Sequence, residues 1–201
     1  MPIGFDKVVI SNMALSRIGS KSTIESLTEE TVAARVCRLW YDAARRASLE
    51  AFNWSFARKS GLLAPHSVAA PSNRWVYRYI YPSDCVAPRL IENPLGVEAD
   101  AVSYEVETAG NETLSIVTDQ ETPYLIYTFD LTNTDLFSLH FVAMVSTKLG
   151  ELINSELSGK TSVAGRLEKR FSELRLEAPT MDASGQIAKK ERDASWIRER
   201  V

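Results

Sequence analysis

Phe52-Asn53-Trp54-Ser55-Phe56-Ala57 is the stretch on which the fold turns. Upstream of it the chain repeats apolar residues at helical spacing, and downstream it alternates them at strand spacing. Val32, Val36, Leu39 or Trp40, Ala43, Ala47 and Glu50 or Ala51 fall at steps of three and four, which predicts an amphipathic helix ending near Phe52. On this reading Arg35, Arg38, Asp42, Arg45 and Arg46 occupy the opposite face. Thr28 is the expected cap, with Glu29 and Glu30 in the first turn, where the positive end of the helix dipole favours carboxylates. Trp54, flanked by Phe52 and Phe56, is expected to be buried as a structural pivot where helix gives way to sheet.

Beyond this joint come short runs rich in β-branched and aromatic residues. The reading predicts strands over 57–64, 74–81, 86–91, 102–107, 113–118 and 124–129. The run at 74–81 alternates Trp75, Tyr77, Tyr79 and Tyr81 with Val76, Arg78 and Ile80. It closes on a second aromatic joint, Tyr79-Ile80-Tyr81-Pro82-Ser83-Asp84-Cys85. Residues 65–73 hold two prolines and small residues and read as a loop. Ala109-Gly110-Asn111-Glu112 reads as a hairpin turn.

Helical spacing also appears at both ends. Residues 7–18 suit a short helix stopped by Gly19; Ile24 and Leu27 pin the loop that follows. Residues 136–157 form another helix, ended by Ser158-Gly159. A fourth opens at Thr161 or Ser162 with Val163, Leu167, Phe171 and Leu174 inward, and Pro179 interrupts it. The expected architecture is α+β. A four-helix bundle is formed by the N- and C-terminal helix pairs, with an antiparallel β-sheet or small barrel inserted and a C-terminal tail. The boundaries fall at 1–56 and 131–178 for the two bundle halves, 57–130 for the insertion and 179–201 for the tail.

The 201 residues are 45% hydrophobic and 24% charged, ordinary for a globular chain that builds its core without disulfides or metals. Net charge is −3, unevenly placed: residues 82–137 hold eleven acids against Arg89 alone. Such a block argues against sequence-specific DNA binding. No basic segment followed by a long apolar core opens the chain, and no run approaches the ~18–20 apolar residues of a membrane span. Cys37 and Cys85 are expected as reduced cytosolic thiols. Gly159-Lys160-Thr161 hints at a phosphate loop, but position 154 is Asn and the preceding segment is helical. His66 and His140 have no Cys or His at ligand spacing, so no metal site is expected. No nucleophile–base pair is visible, and no cofactor or catalytic residue is assigned. The acidic block has the residue type, though not the spacing, of a carboxylate pair for glycoside hydrolysis.

Taken in order, several segments carry a resemblance. They are Leu15-Ser16-Arg17-Ile18-Gly19 with Ile24-Glu25-Ser26-Leu27, Ala33-Ala34-Arg35 through Tyr41-Asp42, and the two aromatic joints. Tyr104-Glu105-Val106, Thr118-Asp119, and Phe137-Ser138-Leu139-His140-Phe141 ahead of Leu157-Ser158-Gly159 complete the series. Over about 8–178 the chain resembles the tail tubular protein A, or head-to-tail adaptor (connector), family of short-tailed bacteriophages. Ser83 stands where that family often has Ala, and Pro179 lies in a region often helical there.

The resemblance implies a non-enzymatic virion protein, made in the host cytoplasm and placed at the head–tail junction. It implies a homo-oligomeric, twelve-fold ring beneath the portal protein, receiving the nozzle, tail tubular protein B, on its other side. Double-stranded DNA would pass non-specifically through the channel, and no membrane is involved. Glu105, Glu107 and Glu112 are the candidate channel-facing acids. Trp196 and Ile197 are the candidate portal anchor, with Arg198 and Arg200 pairing acids of the portal; a neighbouring subunit or the chain's own bundle are the other seats for this tail. The alternative reading is a tail-associated polysaccharide or cell-wall hydrolase.

Overall fold

The computed structural model describes residues 4–71, 73–92, 102–110 and 112–183. It is mixed α+β: four helices and two small antiparallel three-stranded sheets among the described residues. The helices are α1 (Lys7–Arg17), α2 (Val32–Glu50), α3 (Leu139–Leu157) and α4 (Thr161–Ala183). The strands are β1 (Arg58–Leu62), β2 (Tyr77–Ile80), β3 (Cys85–Glu92), β4 (Tyr104–Thr108), β5 (Leu114–Thr118) and β6 (Tyr124–Phe129).

Helix α3 is the spine. It is the most apolar of the helices, and α1, α2 and α4 all pack against it. Phe141, Val142, Met144, Val145, Leu149 and Ile153 are buried along it, meeting Ile10, Ala14 and Leu15 from α1, Leu167 and Leu174 from α4, and the inner face of α2. Gly150 marks a close approach: a Cβ there would stand 3.4 Å from both the Ala14 carbonyl oxygen and Leu167 Cδ1. A side chain larger than methyl at this point would push α1 or α4 away.

The caps show how sequence sets the helix ends. Asp6 accepts from the Val9 amide, Thr31 from Ala34 and Ser138 from Phe141, each satisfying a first-turn donor. Gly19 and Gly159 follow α1 and α3 with φ of 74° and 65°, as a left-handed stop requires. Asn12 holds the next loop with both ends of its amide, accepting from the Ile24 amide and donating to its carbonyl.

Four expectations need correction. Thr31, not Thr28, caps α2; Glu29 instead turns back to accept from the Glu25 and Ser26 amides. The buried face of α2 is Ala33, Ala34, Val36, Cys37, Tyr41, Ala44, Arg45, Ser48 and Leu49, so Arg45 lies inside while Val32, Leu39 and Ala43 face out. Helix α3 starts at Leu139, because Ser138 offers the cap and Thr134–Leu136 form a 3₁₀ turn. Pro179 lies inside α4, which continues to Ala183. Ala178 is fully buried and Asp182 accepts from the Ser55 amide and hydroxyl, so tertiary contacts hold this last turn despite the missing donor.

One sheet has the order β1-β6-β3 and the other β2-β5-β4. Two single bridges tie their edges, Pro65 to Tyr79 and Ile91 to Val102. The two sheets, tied at these single bridges, pack around one shared interior as a small barrel-like pair. Its interior holds Leu63, Tyr79, Ile91, Ile116 and Leu125, with Tyr77, Tyr81, Val102, Tyr104 and Tyr127 packed around them. β3 carries register shifts beside β6 between Cys85 and Ala87 and between Pro88 and Leu90, which accommodate Pro88 inside the ladder.

Candidate functional site

The most heavily bonded polar region is the seam between α2 and the barrel. Arg45 is 1% exposed, an unusual place for a guanidinium. It donates from Nε to Asp42 at 3.2 Å, from Nη1 to Asp130 at 2.5 Å, and from Nη1 to the Leu131 carbonyl at 2.8 Å. Arg46 reaches the other Asp130 oxygen at 2.7 Å. Asp130 directly follows β6, so two successive arginines of α2 grip the end of the central strand of the β1-β6-β3 sheet. Burial pushes the Asp130 pKa up, but the hydrogen bonds and charges of Arg45 and Arg46 outweigh it and hold the carboxyl below its ordinary value.

A second grip runs the other way. Arg89 of β3 donates from Nη2 to the carbonyls of Leu49, Glu50 and Phe52 at 2.8–3.0 Å, and from Nε to Thr128 at 2.9 Å. The Leu49 and Glu50 carbonyls lie at the C-terminal end of α2, where intrahelical donors run out and a cation is also favoured by the helix dipole; the Phe52 carbonyl just beyond also accepts from the Trp54 amide. Burial lowers the Arg89 pKa. Asp84 adds a third tie within the barrel, accepting from Lys59 at 2.6 Å and from the Tyr127 hydroxyl at 3.1 Å. The Lys59 bond holds its pKa down against burial, with Tyr127 helping.

Trp54 sits beside this seam. It is 1% exposed, and its indole N–H donates to the Ser48 carbonyl at 2.9 Å. Phe52 and Phe141 meet it edge-on at 5.1 and 5.2 Å between ring centroids, and Phe56 and His140 pack at 5.5 and 6.0 Å. It thus joins the end of α2 to the start of α3.

The candidate acids are dispersed in environment. Glu105 accepts from Arg74 at 2.6 Å and from the Trp75 indole at 3.3 Å, and Glu107 accepts from Arg78 at 3.2 Å. Residues of the loop ending at Trp75 line a groove with Tyr77 and Arg78 of β2, and Val117, paired with Arg78 and Glu105, is fully buried. Glu112 is exposed in the β4–β5 turn with φ 62°. Trp196, Ile197, Arg198 and Arg200 lie outside the described residues.

The other reactive side chains are engaged. Cys37 is buried against Ser11, and burial pushes its thiol up to about 11. Burial also raises Cys85, beside Tyr81. His66 contacts Thr113 and accepts from the Val68 amide; His140 is 2.7 Å from the Leu174 carbonyl. Among the described residues no three His, Cys, Asp or Glu side chains group as a metal site. No helix there is long and apolar enough to cross a membrane.

Sequence reasoning missed the two arginine grips because it placed Arg45 and Arg46 together on a solvent face. The available signal was Asp130 at the strand–helix boundary, but only the fold brings it to α2. No family model matches the chain, and no curated protein is significantly similar to it.

Proposed function

We propose that the chain is a structural virion protein, a head-to-tail adaptor that forms a homo-oligomeric ring, expected to be dodecameric, between a portal protein and a tail nozzle. The observation that carries the reading is the arginine seam. A ring element under genome pressure needs its two halves to move as one body, and two opposed sets of multiply bonded guanidinium contacts, one centred on the buried Arg45 and one on the half-buried Arg89, do that better than a flexible linker. In this reading the four helices act as one bundle, with α3 as common spine, and the barrel hangs from it as a lateral contact module. The resemblance of the aromatic joints and their order along the chain supplies the family; the seam supplies a mechanical reason for them.

The ring's lumen would carry double-stranded DNA without gripping it, since the barrel is acidic and like charge repels. Glu112 suits that role better than Glu105 and Glu107, whose charges Arg74 and Arg78 already offset. The hydrolase alternative draws less support. Its general acid needs a raised pKa, and Asp84 and Asp130 are held low by their cationic partners.

The test is a mixture of the full chain with portal, imaged by negative stain. A ring of adaptor density capping the portal is expected. Portal particles left bare at micromolar adaptor would contradict the proposal.

A further inference from the structure

Between the C-terminal end of α1 and α4 lies a cleft of about 450 Å³ lined by Arg17, Arg166, Leu167, Lys169, Arg170 and Glu173. Four cations meet one carboxylate there. Arg170 is already committed, donating to Glu173 and Glu177 at 3.1 and 3.2 Å. Arg17, Arg166 and Lys169 have no ion-pair partner among the described residues. Two of the three are nonetheless held in place: Arg17 Nε donates to Ser146 at 3.1 Å, and Arg166 Nη2 donates to the Arg17 carbonyl at 2.9 Å. Burial, and then the charge of Arg170, lower the Arg17 pKa, so positive charge is crowded and uncompensated in this cleft.

The complementary charge lies on the same chain but elsewhere. Glu92 ends β3 opposite Tyr124, at the end of the barrel away from Asp130 and α2. Glu121 lies in the turn that leads into β6 near the same end. Both are exposed and have no basic partner among the described residues.

We propose that the Arg17–Arg166–Lys169 cleft of one copy receives the Glu92 and Glu121 carboxylates of a second copy. The inference rests on the ring reading above and adds the surfaces that would close the ring. Guanidinium groups present planar pairs of donors that match carboxylates. The cleft belongs to the helices and the acids to the barrel, so the contact is head-to-tail, and each copy keeps one of each patch free for the next, as a cyclic assembly requires. The phosphates of nucleic acid are the competing anion. Glu173 in the lining and the chain's net charge of −3 both oppose a polyphosphate.

Arg166 and Lys169 are exposed, so the double variant R166E/K169E leaves the apolar core in place and removes one tie between α4 and α1, the Arg166 bond to the Arg17 carbonyl. Sedimentation velocity of the full chain should show its self-association weakened about 100-fold, since like charges placed opposite one another are strongly repulsive. E92K/E121K should be weakened alike, and an equimolar mixture of the two variants should associate again. If R166E/K169E assembles like wild type, the cleft is not the ring contact, and the adaptor reading stands on its portal test alone. Wild type that stays monomeric at all concentrations also overturns the inference. A fluorescent DNA duplex bound by wild type and released by R166E/K169E, with self-association unchanged, would make the cleft a nucleic-acid site instead.

Discussion

The helical half buries a continuous cluster from Ile10 to Ala178 that draws on all four helices, whereas the barrel interior rests on Leu63, Tyr79, Ile91, Ile116 and Leu125 with a surround of tyrosines. The first is dominated by aliphatic and phenylalanine packing. The second fills its space with rings whose hydroxyls must find partners, as Tyr79 does at the Gln120 and Glu121 carbonyls. A small barrel with so little aliphatic interior gains less from burial, and much of its order is borrowed from the helices through Arg45, Arg46 and Arg89. The lesson is that the helices form the stable unit and the barrel is held by its seam.

The largest expected effect tests the helical side. Trp54→Ala removes a fully buried ring from an aromatic cluster and should cost ~3–5 kcal/mol, read as the shift in urea midpoint. A midpoint within error of wild type would break the comparison at its strongest point.

The seam comes next. Arg45→Ala removes a buried guanidinium bonded to Asp42, Asp130 and the Leu131 carbonyl, leaves Asp130 to Arg46 alone, and should cost about 2–3 kcal/mol through lost charge-assisted bonds and the space left behind. The barrel should also loosen preferentially, seen as faster proteolysis between β1 and β6 than in α3. Equal acceleration in both halves would mean that Arg45 serves general stability and not the joint.

Acid sharpens the same point. The folded pKa of Asp130 lies below its unfolded value of about 3.9, so the stability it contributes is complete above that pH and is lost as pH falls through the folded value. Asp130→Asn should therefore be less stable than wild type at pH 7 and show a flatter decline between pH 5 and pH 2. An acid limb as steep as that of wild type would show that other carboxylates dominate.

The smallest effect lies inside the barrel. Tyr79→Phe loses one donor shared between two carbonyls and should cost ~1 kcal/mol. A loss comparable to Trp54→Ala would show the barrel to be as tightly specified as the helices.

Legibility in the sequence followed the same division. The strands over 124–129 and 113–118 were readable as short β-branched and aromatic runs, the second beside a hairpin turn, and Gly19 and Gly159 from their place after apolar helical runs. The buried face of α2 was not, because alanines occur on every side of that helix and its true inner face includes Arg45 and Ser48. Periodicity counts a charged residue as exposed, and only a partner 85 residues away makes Arg45 an inside residue. The same limit hid the Arg89 grip. Pro179 read as a stop because its cost is local, while the contacts of Ala178 and Asp182 that overcome it are distant in sequence.

Native-state hydrogen exchange, followed amide by amide, tests this division most directly. The amides of α3 from Met144 to Ile153 should exchange only through global unfolding, and those of β4 from Tyr104 to Thr108 should exchange at least about 100-fold faster through partial opening of the barrel. Protection in β4 equal to that in α3 would contradict it.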